Sequence, residues 1–309
     1  MFAVIFPGQG SQAIGMAKEF YDRYSFVKNI FKKADEVLEF PISKLILEGP
    51  SDQLNITENT QPSIFLVSYS IFSVVKSEFN IDLNKAKYFA GHSLGEYSAL
   101  AAANSIDFES AIRLLKKRGR SMQLAVPFGE GAMIAILGQE IKEIEKILLN
   151  IGVENCQIAN DNCPGQIVVS GTLSEINKLI DTLKKLSIKN IKLPVSAPFH
   201  CKLMKTSTEI MKKEINNTKF NTPSPKIISN VNALEQDNID TIKNLLIEQI
   251  ESTVKWRESV QYMIKNGVKK FIEIGPGKVL TGLVKRIDKN VESYSINNDE
   301  DIKKININD

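Results

Sequence analysis

The sequence predicts an α/β protein, a parallel sheet covered by helices with a second, smaller βαββαβ unit inserted into it. Three observations predict it. Short apolar strands alternate with amphipathic helices over the first 126 residues, the pattern of a parallel sheet with both faces covered. The run Gly91-His92-Ser93-Leu94-Gly95 fits G-x-S-x-G and joins a strand to a helix. From about Pro127 to Pro194 the order becomes strand, helix, two strands, helix, strand, the split βαβ or ferredoxin-like unit.

Each element has its own signal. Ala3–Phe6 is an apolar run entering Pro-Gly-Gln-Gly, a strand meeting a turn. Apolar residues spaced by three and four predict helices near Ser25–Glu39 and Pro62–Glu78. Lys87–Ala90 reads as a strand that ends in the G-x-S-x-G turn, and Glu96–Ala103 as a helix. In the insert the strands are Gly131–Leu137, Asn155–Asn160, Gln166–Ser170 and Asn190–Val195, and the helices Glu140–Leu149 and Ser174–Leu186. The larger unit resumes near Ser196 and adds the strand Phe271–Ile274, the turn Gly275-Pro276-Gly277 and the helix Lys278–Ile287. The expected division is 1–126 with 196–295 for a discontinuous core, 127–195 for the insert, and a frayed polar tail over 296–309.

Composition narrows the function classes. The chain has 309 residues, 43% hydrophobic and 24% charged, enough to bury a sizeable core. A net charge of +3 is too small to imply nucleic acid. No apolar run is long enough to span a membrane, and the N-terminus MFAVIFPGQG reads as a strand, not a signal peptide. Cys156, Cys163 and Cys201 form no CxxC, which suits a reducing compartment and argues against a disulfide framework or a zinc site.

The elbow motif carries the chemistry. A nucleophilic serine needs a sharp, strained turn, and the glycines two residues either side let strand and helix pack at that corner. The Leu94 N–H then lies at a helix N-terminus, where an oxyanion is stabilised. Only His92 and His200 could serve Ser93 as base. His92 adjoins the serine and points to another side, so it reads as a pocket-lining residue. His200, in the loop Ser196-Ala197-Pro198-Phe199-His200, is the candidate base. No acidic residue is marked by context to hold its imidazole, and a backbone carbonyl can do so instead.

Arg118 is out of place. On the amphipathic helix Asp107–Val126 it falls among Ala111, Leu114, Leu115, Met122 and Ala125, while Arg113, Lys116, Arg120 and Gln123 take the solvated face. A buried guanidinium needs a carboxylate, supplied either by the protein or by a substrate. Gly8-Gln9-Gly10-Ser11-Gln12-Ala13 fits G-x-G-x-x-A, but a helical stretch follows where a dinucleotide unit requires a second strand.

Taken in order, FPGQGSQ, GHSLGE, KKRGRSMQ, APFH, QIESTVKWRES and IEIGPGKVLTGL resemble the malonyl-CoA:acyl-carrier-protein transacylases of type II fatty acid synthesis, over roughly Met1 to Val291. The resemblance implies an α/β-hydrolase-like core with a ferredoxin-like subdomain, Ser93 acylated, and His200 as its base. It implies Gln9 and Leu94 at the oxyanion hole, Arg118 on the malonyl carboxylate, and the Gln249 carbonyl orienting His200. Phe199, just before the histidine, and His92 would line the pocket. Malonyl-CoA and an acidic acyl carrier protein would be the partners, with no metal or other cofactor, nucleic acid or membrane. Lys116, Lys117, Lys285 and Arg286 are candidate docking residues. The expectation is a cytoplasmic monomer, or a stromal protein if a transit peptide was removed. The rival is a serine thioesterase or esterase built on the same elbow.

Overall fold

The computed structural model describes residues 1–79, 81–195 and 197–305. Ser196, where the larger unit is expected to resume, and 306–309 of the expected tail lie outside the described residues. The strands are β1 (Phe2–Phe6), β2 (Tyr88–Gly91), β3 (Gly131–Leu137), β4 (Cys156–Cys163), β5 (Gln166–Thr172), β6 (Asn190–Lys192), β7 (Lys226–Ile228), β8 (Glu235–Gln236), β9 (Lys270–Ile274) and β10 (Glu292–Ile296). They form two sheets. One has the order β10-β9-β1-β2-β7-β8 and the other β4-β5-β3-β6. Every pair in the first is parallel except β7–β8, which closes one edge as an antiparallel pair. The second is antiparallel throughout. With helices Ile141–Ile151 and Leu173–Lys185 between its strands, the second sheet has the βαββαβ order of the ferredoxin-like unit.

The central strands are apolar along their whole length because helices cover both faces. FAVIF of β1 is buried at all five positions. Phe2, Val4 and Phe6 join the larger core cluster on one face, and Ala3 and Ile5 a second cluster around Trp256 and Phe271 on the other. The insert has its own core, with Ile134, Val169, Ile176 and Leu179 fully buried. The helix Thr57–Glu78 is buried nearly all round, which is why its apolar periodicity is blurred.

Two departures have physical causes. Strands β7, β8 and β10 escape the periodicity because they are short or half exposed, ESYSI of β10 carrying three polar residues among its five. The tail, expected to fray from 296, instead continues into a helix at Asp299–Lys303. Ile296 and Ile302 are buried there, and Tyr24 Oη donates to the buried Asp299 carboxylate at 2.9 Å. Two buried apolar side chains, with Asp299 held by Tyr24 and Arg23, dock this polar run.

Candidate active site

Strand β2 ends at Gly91, and the helix Gly95–Ala102 begins four residues later. Ser93 sits between them with φ at 52°, in the left-handed region that a non-glycine residue enters at a cost of about 1–3 kcal/mol. The flanking glycines are required by contact. A Cβ on Gly91 would lie 1.9 Å from the Gly95 carbonyl, and one on Gly95 would lie 2.3 Å from the Phe6 oxygen of β1. Asn230, just beyond β7, braces the turn: its Oδ1 accepts from the Ser93 N–H at 2.7 Å and its Nδ2 donates to the Gly91 oxygen at 2.7 Å.

His200 meets the serine. Its Nε2 is 2.8 Å from Ser93 Oγ, and its Nδ1 is 2.8 Å from the Gln249 carbonyl oxygen. A carbonyl only accepts, so Nδ1 carries the proton and Nε2 presents a lone pair to the serine hydroxyl. His200 is buried and itself has φ at 58°. Burial, with the nearby Arg118 charge second, pushes its pKa down to about 3. The ring is therefore neutral, as a base must be. His92 is turned away: its Nε2 is 2.9 Å from Asn162 Oδ1, and its ring packs at 5.7 Å on Trp256.

Arg118 is 1% exposed, on the helix Phe108–Leu124, which the Asp107 side chain caps. It donates from Nη1 to Gln61 Oε1 at 2.8 Å, and from Nη2 to Gln249 Oε1 at 2.9 Å and Ser93 Oγ at 3.2 Å. Its Nε has no acceptor, and its guanidinium lies over the Tyr97 ring at 5.8 Å. Among the described residues no carboxylate oxygen lies within 4 Å of it. Of the two readings open in the sequence, the internal salt bridge is absent.

These groups face a cavity of about 250 Å³ between the two sheets. Gln9, Ser93, Leu94 and Arg118 line it from the larger unit, and Met133 and Asn160 from the insert. His92, Phe199 and His200 are on the wall too. Gln9 donates from Nε2 to Thr57 Oγ1 at 3.3 Å. The Leu94 N–H has no acceptor among the described residues, at the start of a helix. Phe199 is fixed through its carbonyl, which accepts from Ser170 Oγ of β5 at 2.6 Å. Gln249 does not line the wall but reaches the site by hydrogen bonds.

The sequence reading missed Gln61, Glu96, Asn162 and Asn230. Gln61 and Glu96 carry a faint signal, polar residues at buried positions of apolar helices; the two asparagines carry none. The basic residues considered for docking are partly engaged within the chain. Lys116 is 3.2 Å from a Glu58 carboxylate oxygen and Lys117 is 3.4 Å from one of Glu214. Arg286 donates across to Gln166 Oε1 of the insert at 2.8 Å. The three cysteines are free and buried. Among the described residues, no group of three or more His, Cys, Asp or Glu side chains is placed to hold a metal ion.

Comparison with known proteins agrees with this geometry. The acyl transferase domain family matches residues 3–304. A malonyl CoA-acyl carrier protein transacylase of Bacillus subtilis is 42% identical over 97% of this chain and 95% of its own. The solved acyl-carrier-protein S-malonyltransferase of Bartonella henselae superposes with a TM-score of 0.95 at 39% identity, covering 98% of both chains. That of Vibrio cholerae gives 0.94 at 40%, covering 99% of both. With the serine, its histidine and the buried arginine converging on one cavity, the chain belongs to the acyl transferase domain family, among the malonyl-CoA:acyl-carrier-protein transacylases.

Proposed function

We propose that this chain moves a malonyl group from coenzyme A, through an ester on Ser93, to the phosphopantetheine thiol of an acyl carrier protein, supplying malonyl units for fatty acid synthesis. One observation carries the choice of acyl group. A fully buried guanidinium lies 3.2 Å from the Ser93 hydroxyl with no carboxylate of the described residues against it. An acyl group with a free carboxylate completes that site; an acetyl or longer alkyl chain leaves the cation unpaired.

The cycle follows from the hydrogen bonds. His200 Nε2 takes the Ser93 proton as Oγ attacks the thioester carbonyl. The oxyanion forms against the Leu94 N–H, with Gln9 beside it. The C–S bond breaks, coenzyme A leaves with the proton from His200, and malonyl remains on Ser93. The carrier's thiol then gives its proton to His200 and attacks the ester, restoring the Ser93 hydroxyl. Throughout, the Gln249 carbonyl holds the imidazole in one tautomer, the task an acid performs in a hydrolase triad. The rival thioesterase reading predicts such an acid, and His200 Nδ1 meets a carbonyl instead.

The division at 127–195 has a use in this reading, since the insert contributes Met133 and Asn160 to the cavity wall. Lys116, Lys117, Lys285 and Arg286 are the basic residues proposed to meet the acidic carrier, the last three of them exposed. No helix among the described residues is long and apolar enough to cross a membrane. A cytoplasmic location, or an organellar stroma if a transit peptide was removed, is proposed from the proposed activity. The test is transfer of labelled malonyl from malonyl-CoA to a holo acyl carrier protein. Ser93→Ala should lower transfer by about ten-thousandfold or more. Retained transfer in that variant would rule out the ester.

A further inference from the structure

Glu96 follows the elbow on the helix Gly95–Ala102 and is 2% exposed. Its Oε2 accepts from Gln249 Nε2 at 2.8 Å and from the Asn230 N–H at 3.1 Å. Among the described residues no cationic nitrogen lies within 4 Å of this buried carboxylate. A buried carboxylate and a buried guanidinium thus stand on opposite sides of one primary amide: Gln249 Oε1 accepts from Arg118 and its Nε2 donates to Glu96.

A guanidinium only donates and a carboxylate only accepts, so this amide has a single orientation that satisfies both. Gln249 Nε2 also donates to the Ser93 carbonyl oxygen at 3.2 Å, tying the amide to the elbow. Direct contact between Glu96 and Arg118 would give an internal ion pair and occupy the guanidinium's fork. The interposed amide lets the negative charge offset the cost of burying Arg118 while its fork still faces Ser93.

From this juxtaposition we infer that Glu96 is a specificity-positioning residue, which fixes the Gln249 amide and through it aims Arg118 at the carboxylate of the incoming acyl group. The inference rests on the malonyl reading of Arg118. Deprotonated Glu96 is the form that only accepts, and burial raises its pKa to about 7, against the smaller opposing effects of Asn230, Gln249 and Arg118. The other titratable groups around it, Tyr97 at about 12 and His200 at about 3, keep one charge state through that range.

The test compares loading of Ser93 from malonyl-CoA and from acetyl-CoA, as the ratio of the two kcat/KM values, in the wild-type chain and in Glu96→Gln. Glutamine can present an NH2 to Gln249 and so permits the flipped amide. The malonyl-over-acetyl ratio should fall about tenfold, the effect of one misaligned hydrogen bond to a charged group, with acetyl loading changed much less. In the wild type the ratio should drop as pH falls through about 7, and in Glu96→Gln it should be flat. An unchanged ratio, or equal slowing with both acyl groups, overturns the inference and leaves Glu96 a structural residue. If Glu96→Gln does not fold, the wild-type profile decides, and a pH-independent ratio overturns it. A wild-type chain that forms no malonyl ester contradicts the malonyl reading itself, a different failure from loss of the Glu96 effect.

Discussion

Two arginines, one at the elbow and one at the junction between the two sheets, solve the burial of a guanidinium in opposite ways. Arg257, at the start of the helix Trp256–Lys265, is 2.9 Å from Asp161 of β4 and 2.7 Å from Glu140. It is an internal ion cluster that fastens the insert to the core. Arg118 is more deeply buried and meets two amide oxygens and a hydroxyl. The sequence marks Arg118 as a cation on an apolar face, but not whether the group facing it is a protein carboxylate, as it is for Arg257. The difference is what faces the fork: where the protein supplies the carboxylate the residue is a clamp, and where it supplies only neutral acceptors beside Ser93 it is the group proposed to bind the acyl carboxylate.

Substitutions at the two arginines should have opposite effects on loading and on stability. Replacing Arg118 by Lys keeps the charge and loses the fork, so malonyl loading should fall by about tenfold to a hundredfold with little change in melting temperature. Steady-state loading beside thermal unfolding separates the two effects. Arg257→Gln should do the reverse. It leaves Asp161, 1% exposed, without its cation, and should cost about 2–3 kcal/mol of stability, less than for a fully buried pair because Arg257 is partly solvated. Its malonyl-over-acetyl ratio should stay at the wild-type value, read by denaturant unfolding and the same loading assay.

A smaller effect sharpens the electrostatic side. With His200 held to about 3, the neutral base persists well below the pH at which an ordinary histidine charges. Acetyl loading, whose acyl group brings no carboxylate to Arg118, should therefore show no loss of kcat/KM on its acid limb between about pH 8 and pH 5. A limb near 6.5 would mean that the imidazole is far better solvated than its burial indicates.

Most of the core was legible because its signals are local. β1, the elbow and both insert helices follow from periodicity and from glycines that the geometry demands. Ser93, His200 and Arg118 stand out for the same reason: a turn motif, a scarce residue type and a cation on an apolar face. What held them together was not legible. Asn230 bracing the elbow, Gln61 and Gln249 holding the guanidinium, and Glu96 behind Gln249 are long-range polar contacts between segments up to about 150 residues apart. Amide side chains have no periodicity that reveals a partner. The tail illustrates the same limit, since Ile296 and Ile302 gain their meaning only from the surface they meet.

In the proposed cycle Ser93 carries the acyl group and Arg118 selects it by its carboxylate. Intact-protein mass spectrometry after brief exposure to malonyl-CoA or acetyl-CoA tests both halves at once, in the wild-type chain, Ser93→Ala and Arg118→Ala. The wild type should give a malonyl adduct, Ser93→Ala none, and Arg118→Ala an adduct that no longer favours malonyl over acetyl. No adduct from either thioester with steady release of free acid, or an undiminished malonyl preference without Arg118, would contradict that cycle.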